Sequence, residues 1–233
     1  MTSLVRALVL FVAVLAAPVA FPAEPAPAVP AAPAGLSDSE LAAGLKSALG
    51  SALENALGKL TQSGGLKLSP PPALAKIEAA VGKTNPAEAG GVSSALSSVA
   101  AKLSPQMADL LRESFKNVKI EDAKAVLSGG PDAGTQFLRK AMGATLREKL
   151  LPLVKEATAS AGVAAKAKDM LSAAGPLAAL GGNKGIADLD GYVCDQVINK
   201  SFQLLAKEEA ALRANPALLT QPLAQKAFAL FKK

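Results

Sequence analysis

Histidine and tryptophan are absent from this 233-residue chain, cysteine and tyrosine occur once each, and aromatic residues make up only 3% of it. Each shortage removes a class of chemistry. Without His there is no Ser-His-Asp triad, no imidazole acid–base group and no His ligand for zinc. One Cys builds neither an intramolecular disulfide nor a Cys-rich metal site, so no metal and no cofactor are expected. The few aromatic residues leave almost nothing for base stacking, and the basic residues are scattered. The net charge of +6 therefore reads as a solvated surface, and no nucleic-acid partner is expected. What is abundant is Ala and Leu, within an apolar share of 50%. That supply suits helices and lacks the β-branched and aromatic residues of a β-sandwich. At ~100–200 residues per domain, the length is that of one domain with a sizeable core.

The composition changes twice along the chain. Residues 7–21 (ALVLFVAVLAAPVAF) are apolar, follow Arg6, and are broken by Pro18. This pattern reads as a secretory signal peptide over residues 1–20, because a membrane span needs ~20 uninterrupted apolar residues. No transmembrane segment is expected after its removal. No Cys lies near the cleavage region to carry a lipid, so the expected location is periplasmic or secreted. Residues 22–35 (PAEPAPAVPAAPAG) alternate Pro with Ala, which makes 21–35 a stiff extended tether with nothing to bury. Residues 36–233 form the domain.

Within that domain Ser37-Asp38-Ser39-Glu40 is a capping box, since Ser at the N-cap and Glu three residues on satisfy each other's backbone amides. Leu41, Leu45, Leu49, Ala52, Leu53, Ala56, Leu57 and Leu60 then recur at three and four, predicting a helix to about Ser63. Gly44 and Gly58 fall off this stripe; each either admits a close neighbour or weakens a solvated helix. Residues 66–72 (LKLSPPP) predict an extended connection into a short helix with Leu74, Ile77 and Val81. A Ser/Ala-rich helix to Leu103 follows. Ser104-Pro105 opens another with Met107, Leu110, Leu111 and Phe115, and a short helix ends at Ser128-Gly129-Gly130.

From about Asp132 to Ala161 a long helix should run through Pro152 with a kink, its apolar stripe changing face there. Residues 175–176 and 181–185 (GGNKG) predict a loop; the spacing fits neither a Walker A motif nor GxGxxG. The clearest amphipathic helix spans Asp190 to Arg213, with Val193, Val197, Ile198, Phe202, Leu205 and Leu212 on one face. Asn215-Pro216 stops it, and Thr220 starts a terminal helix with Ala227, Phe228, Leu230 and Phe231 on one side. No segment sustains a period of two. The expected fold is all-α, a single helical domain of about eight or nine helices.

The ordered segments LSDSELAAGLKSAL (36–49), IEDAKAVLSGG (120–130), TQFLR (135–139), LPLVK (151–155), DLDGYV (188–193), LAKEEAALRANP (205–216) and KAFALF (226–231) run in one order. On these the chain resembles the bacterial exported helical family called domain of unknown function 4197. The resemblance implies a signal-bearing helical protein of Gram-negative bacteria. It implies no activity, ligand or catalytic residue.

Carboxylates, Lys, Tyr and Ser remain as candidates for chemistry. Asp188 and Asp190 precede the amphipathic helix, where an N-cap role explains them. Glu208 falls within the apolar stripe when counted from Val193, Val197 and Leu204, with Glu209 at its edge. A carboxylate on a core face must be paired or raised in pKa, so Glu208 either meets a Lys or Arg structurally, with Arg139 or Arg147 of the long helix as candidate partners, or serves a site. Tyr192 suits packing with a hydrogen-bonded hydroxyl, and Cys194 suits a small core residue. Asp188, Asp190, Tyr192, Glu208, Arg139 and Arg147 are thus the candidate structural or functional cluster, with no catalytic residue assigned. Three functional classes stay open. The first is a non-catalytic envelope protein that binds a protein or envelope component. The second is a carrier of an apolar ligand between helices. The third is a carboxylate hydrolase joining Glu208 to Asp188 or Asp190.

Overall fold

The capping box forms as the sequence requires. Glu40 donates its backbone N–H to the Ser37 hydroxyl at 3.3 Å and the Ser37 N–H donates to Glu40 Oε2 at 2.8 Å. The Ser37 hydroxyl, which donates to Glu40 Oε2 at 2.7 Å, and then the Ser37 N–H hold the Glu40 carboxyl below its ordinary value. These bonds start helix α1, Asp38–Thr61. A computed structural model describes residues 35–86, 90–180 and 188–231; the signal peptide, nearly all of the tether, the 181–185 loop and Lys232-Lys233 lie outside these. Seven more helices follow among the described residues: α2 (Pro72–Thr84), α3 (Gly91–Lys116), α4 (Ala123–Ser128), α5 (Ala133–Ser160), α6 (Val163–Ala174), α7 (Leu189–Ala214) and α8 (Pro222–Leu230). No strand occurs among these residues, so the fold is all-α. No helix among them is long and apolar enough to cross a membrane.

The stripe read from the sequence is the buried face of α1: Leu45, Ala48 and Leu49 are wholly inside, and Leu53, Leu57 and Leu60 nearly so. This face packs against α3, α4, α7 and α8. Gly44 is buried as well. A methyl group there would lie 2.8 Å from Cβ of Ala227 and 2.9 Å from the Leu223 carbonyl oxygen, so α8 crosses α1 where the glycine lets the backbones approach. Gly58 is its counterexample, exposed and with nothing within 4 Å of a built Cβ.

Four expectations need correction. Ser104-Pro105 does not open a new helix: α3 runs unbroken through it. Pro105 faces solvent, where water can take the carbonyl its missing N–H leaves, and buried Ser104 donates its hydroxyl to Ala100 O at 2.7 Å. Leu96, Val99, Leu103, Met107 and Leu111 form one continuous buried row across the proline, and that packing outweighs a cost of about 3 kcal/mol. The stripe of α5 does not switch face at Pro152 either. Among its buried residues, Leu138, Met142, Leu146, Leu150, Val154 and Thr158 follow one another four apart on both sides of the proline. At ~100° per residue each step advances the stripe by about 40°. The buried face therefore winds steadily around a helix that continues through an exposed Pro152. The terminal helix starts at Pro222 rather than Thr220, because Pro fits the first helical position. Leu230, expected on its buried side, is 58% exposed.

Two connections complete the frame. Gly162, with φ of 64°, supplies the left-handed turn between α5 and α6. The 66–71 connection is extended, as its prolines require, with Leu66 and Leu68 buried. Ion pairs join the outer faces: Arg112 to Glu54, Lys149 to Glu113 and Lys102 to Glu156. Each partner's hydrogen bond holds its carboxylate below the ordinary value.

The two glycines of α1 make the packing argument testable. Gly44→Ala should destabilise the domain by about 1–3 kcal/mol through overpacking against α8. Gly58→Ala should stabilise it by about 0.5–1 kcal/mol through helix propensity. Urea titrations followed by circular dichroism check both; equal effects of the two substitutions would overturn the close-approach reading.

Candidate functional site

The sequence-nominated residues take their positions from α5 and α7, which run antiparallel. Gly134 and Thr135 meet Glu209, Arg147 meets Asp195, and Thr158 meets Asp190. Asp188 caps α7, accepting from the Gly191 N–H at 3.0 Å. Asp190 lies within the first turn and accepts from the Thr158 hydroxyl at 2.6 Å. Tyr192 is half-buried and donates its hydroxyl to Pro70 O at 3.4 Å. One turn on, Gln196 donates to Ser69 O at 2.7 Å and accepts from Ser69 N–H at 3.2 Å. Those two side chains satisfy the backbone of the extended connection, whose polar groups have no helix to serve them. Arg147 donates from Nε to Asp195 Oδ1 at 2.9 Å, and Arg139 donates to Asn199.

Glu208 is paired with Lys59 of α1, and neither Arg139 nor Arg147 is its partner. Its side chain is 12% exposed and the lysine's is 56% exposed, so the pair sits at the domain surface. The helix itself explains why these residues do not converge. Twenty positions of α7 separate Asp188 from Glu208, about 30 Å at 1.5 Å per residue. The pairing of Glu208 with Asp188 or Asp190 that a hydrolase would need is therefore not formed.

The carboxylate that enters the core is its neighbour. Glu209 has no exposed surface. One oxygen accepts from Gly134 N–H at 2.9 Å, the other from Thr135 N–H at 2.6 Å and from the Thr135 hydroxyl at 2.8 Å. The residue thus caps the start of α5, whose own N-cap residue Asp132 makes no side-chain cap bond. Arg213, one turn further along α7, donates Nε to Glu209 at 2.9 Å. Its Nη1 and Nη2 reach Leu127 O at 2.9 Å and Val126 O at 3.0 Å, the last carbonyls of α4. A negative group thus meets a helix N-terminus and a positive group meets a helix C-terminus, the arrangement the backbone dipoles favour. The guanidinium also lies 5.0 Å from the Phe228 ring centroid of α8. The same device recurs at α3, where Glu78 of α2 accepts from Val92 N–H at 2.9 Å and Ser93 N–H at 3.0 Å.

Counting from Phe202 and Leu205 rather than from Leu204 would have put Glu209 on the buried row, since the row of α7 is Val193, Val197, Ile198, Phe202, Leu205, Glu209 and Leu212. Cys194 is buried beside the Arg147 carbonyl, and burial pushes its thiol up to about 11. Among the described residues no group of three or more Cys, Asp or Glu is placed to hold a metal ion.

This architecture, a helical domain tied by buried carboxylates at two helix starts, now has a family to which it belongs. The chain is a member of the family described as protein of unknown function (DUF4197), whose model matches residues 35–229. No curated protein and no solved structure matches it.

Glu209→Gln should cost about 3–5 kcal/mol, because Arg213 would lose its buried counter-charge. Glu208→Gln should cost about 0–1 kcal/mol, as expected of a partly solvated pair. Denaturant melts of the two variants should differ in this order, and a reversed order would defeat the assignment. Cys194 should resist thiol reagents at pH 8 in the folded protein and react at once in denaturant, because the thiolate forms only well above that pH; fast labelling of the native protein would contradict its burial.

Proposed function

We propose that this chain is an exported, non-catalytic protein of the Gram-negative cell envelope that holds a protein or envelope component on its helical surface. The observation that carries this reading is the use made of the candidate side chains. Asp188 caps a helix, Asp190 holds α5, Tyr192 holds the 66–71 connection, Glu208 ties α1, and Arg139 and Arg147 bridge α5 to α7. Groups engaged in joining helices are parts of a scaffold. The apolar leader at 7–21 and the Pro/Ala tether support export and a domain held away from its attachment point or neighbour. The grooves of the domain support surface binding over a buried ligand chamber, since they are open to solvent and lie between helix ends or along helix pairs. One of them encloses about 540 Å³ beside Thr158, Gly162 and Asp190.

Expression of the full chain in a Gram-negative host, followed by osmotic shock and N-terminal sequencing, tests the reading. The protein should appear in the periplasmic fraction with its first residue between Ala17 and Glu24. Met1 retained in a membrane pellet would overturn export. A stoichiometric co-purified lipid in native mass spectrometry would make the protein a carrier.

A further inference from the structure

Between α5 and α7 the outer surface holds a groove of about 420 Å³ bordered by Arg139 and Arg147, by Asp195 and Asn199, and floored by Gly143, Ala144 and Ile198. Arg139, Gly143 and Arg147 are four residues apart and share one face of α5. Each arginine has five N–H donors in a fixed fork. Among the described hydrogen bonds Arg139 uses one of them, to Asn199, and Arg147 uses its Nε, to Asp195. Arg139 also lies 5.6 Å from the centroid of buried Phe202, which steadies the guanidinium without neutralising it. Asn199 accepts from Arg139 through Oδ1, and its amide N–H groups donate in none of the described hydrogen bonds. The groove is thus rich in donors and carries one positive charge more than Asp195 neutralises.

Gly143 lines the same groove. It lies in the middle of a 28-residue helix, where glycine weakens the helix relative to alanine. Packing gives no reason for it: a built Cβ would meet only Cγ of Arg139, at 3.9 Å. Gly44 and Gly134, by contrast, are forced by neighbours within 3 Å. A glycine between two underused guanidiniums leaves room for a ligand to approach the helix backbone.

We infer that this groove binds a phosphate group, gripped by Arg139 and Arg147 with Asn199 as a further donor. Planar forks match the oxygens of phosphate two at a time, which is the recognition that arginine performs better than lysine. The inference gives the proposed binding surface a place and a ligand class, and so rests on that reading. Envelope fractionation can succeed while phosphate binding fails, so the two failures are distinguishable.

The test is calorimetric titration of the purified full-length mature protein at low ionic strength with inorganic phosphate and with pyrophosphate. In parallel, flotation with vesicles of phosphatidylglycerol in phosphatidylcholine, against phosphatidylcholine alone, separates a lipid headgroup from a soluble phosphate as the source. One saturable site is expected, weakened at least tenfold in the Arg139→Gln/Arg147→Gln double variant and unchanged in Lys102→Gln on another face. Gly143→Ala should raise the melting temperature while weakening binding several-fold, an outcome that loss of fold cannot mimic. Absence of saturable binding to both the phosphates and the anionic vesicles would overturn the inference. So would equal loss in the double variant and Lys102→Gln, which marks diffuse charge attraction. Unchanged binding in Gly143→Ala would remove the glycine floor from the site.

Discussion

A carboxylate shut away from water must be answered by donors on every side, and the answer given to Glu209 fixes where four helices meet. Its two oxygens take the first amides of α5 and the Thr135 hydroxyl, while Arg213 returns the charge and takes the last carbonyls of α4. The turn between α4 and α5 is therefore held at both ends by one i,i+4 pair on α7. Leu49 of α1 seals the same place, since its methyl would lie 2.5 Å from a Cβ built on Gly134. The glycine, the carboxylate and the guanidinium form one unit, and none has a substitute of similar shape and charge. Removing one charge leaves the other buried without a partner, so the free energy at stake exceeds that of the surface pairs.

The same logic distributes work along α7. Successive turns present Asp190 to α5, Tyr192 and Gln196 to the extended connection, Asp195 and Asn199 to the arginines of α5, Glu208 to α1 and Glu209 to the α5 terminus. An Ala- and Leu-rich interior offers little shape of its own to fix register, because many Leu-on-Ala arrangements bury similar area. Directed polar contacts from one central helix remove that ambiguity. Two helices with no side-chain cap of their own, α3 and α5, receive carboxylates from another helix, α3 from the preceding α2 and α5 from the distant α7, so order at these starts depends on tertiary packing.

How much of this was legible follows from the range of each signal. The capping box, the α1 stripe, the Pro-rich connection, the Asp188 cap and the amphipathic α7 depend on residues within a turn or two, and the structure has them where the sequence put them. Pro105 was misread because its local preference to begin a helix was set against a buried row that continues on both sides. Helix α6 escaped notice because its buried residues are Val163, Ala167, Met170 and Ala174, two of them too small to stand out from an Ala-rich background. Glu208 and Glu209 differ by ~100° around the helix. A stripe anchored on Leu204, which is only partly buried, chose the wrong neighbour. The partner Lys59 lies 149 residues away in sequence, beyond any pattern on α7. Family membership was legible in the ordered segments, and it brings no activity with it.

Three arginines show how the same side chain serves structure in one place and leaves capacity in another. Arg213 is 13% exposed and places its Nε, Nη1 and Nη2 on a carboxylate and two carbonyls. Three of its donors are thereby spent on the fold, and its charge is answered by buried Glu209. Arg147 is 46% exposed and has one carboxylate partner that is itself 54% exposed, while exposed Arg139 leans on an aromatic ring and an amide that leave its charge intact. The joint they make between α5 and α7 needs only one bond from each guanidinium. The donors beyond that need lie around a glycine that packing does not require, and that surplus is what joining α5 to α7 leaves without a use.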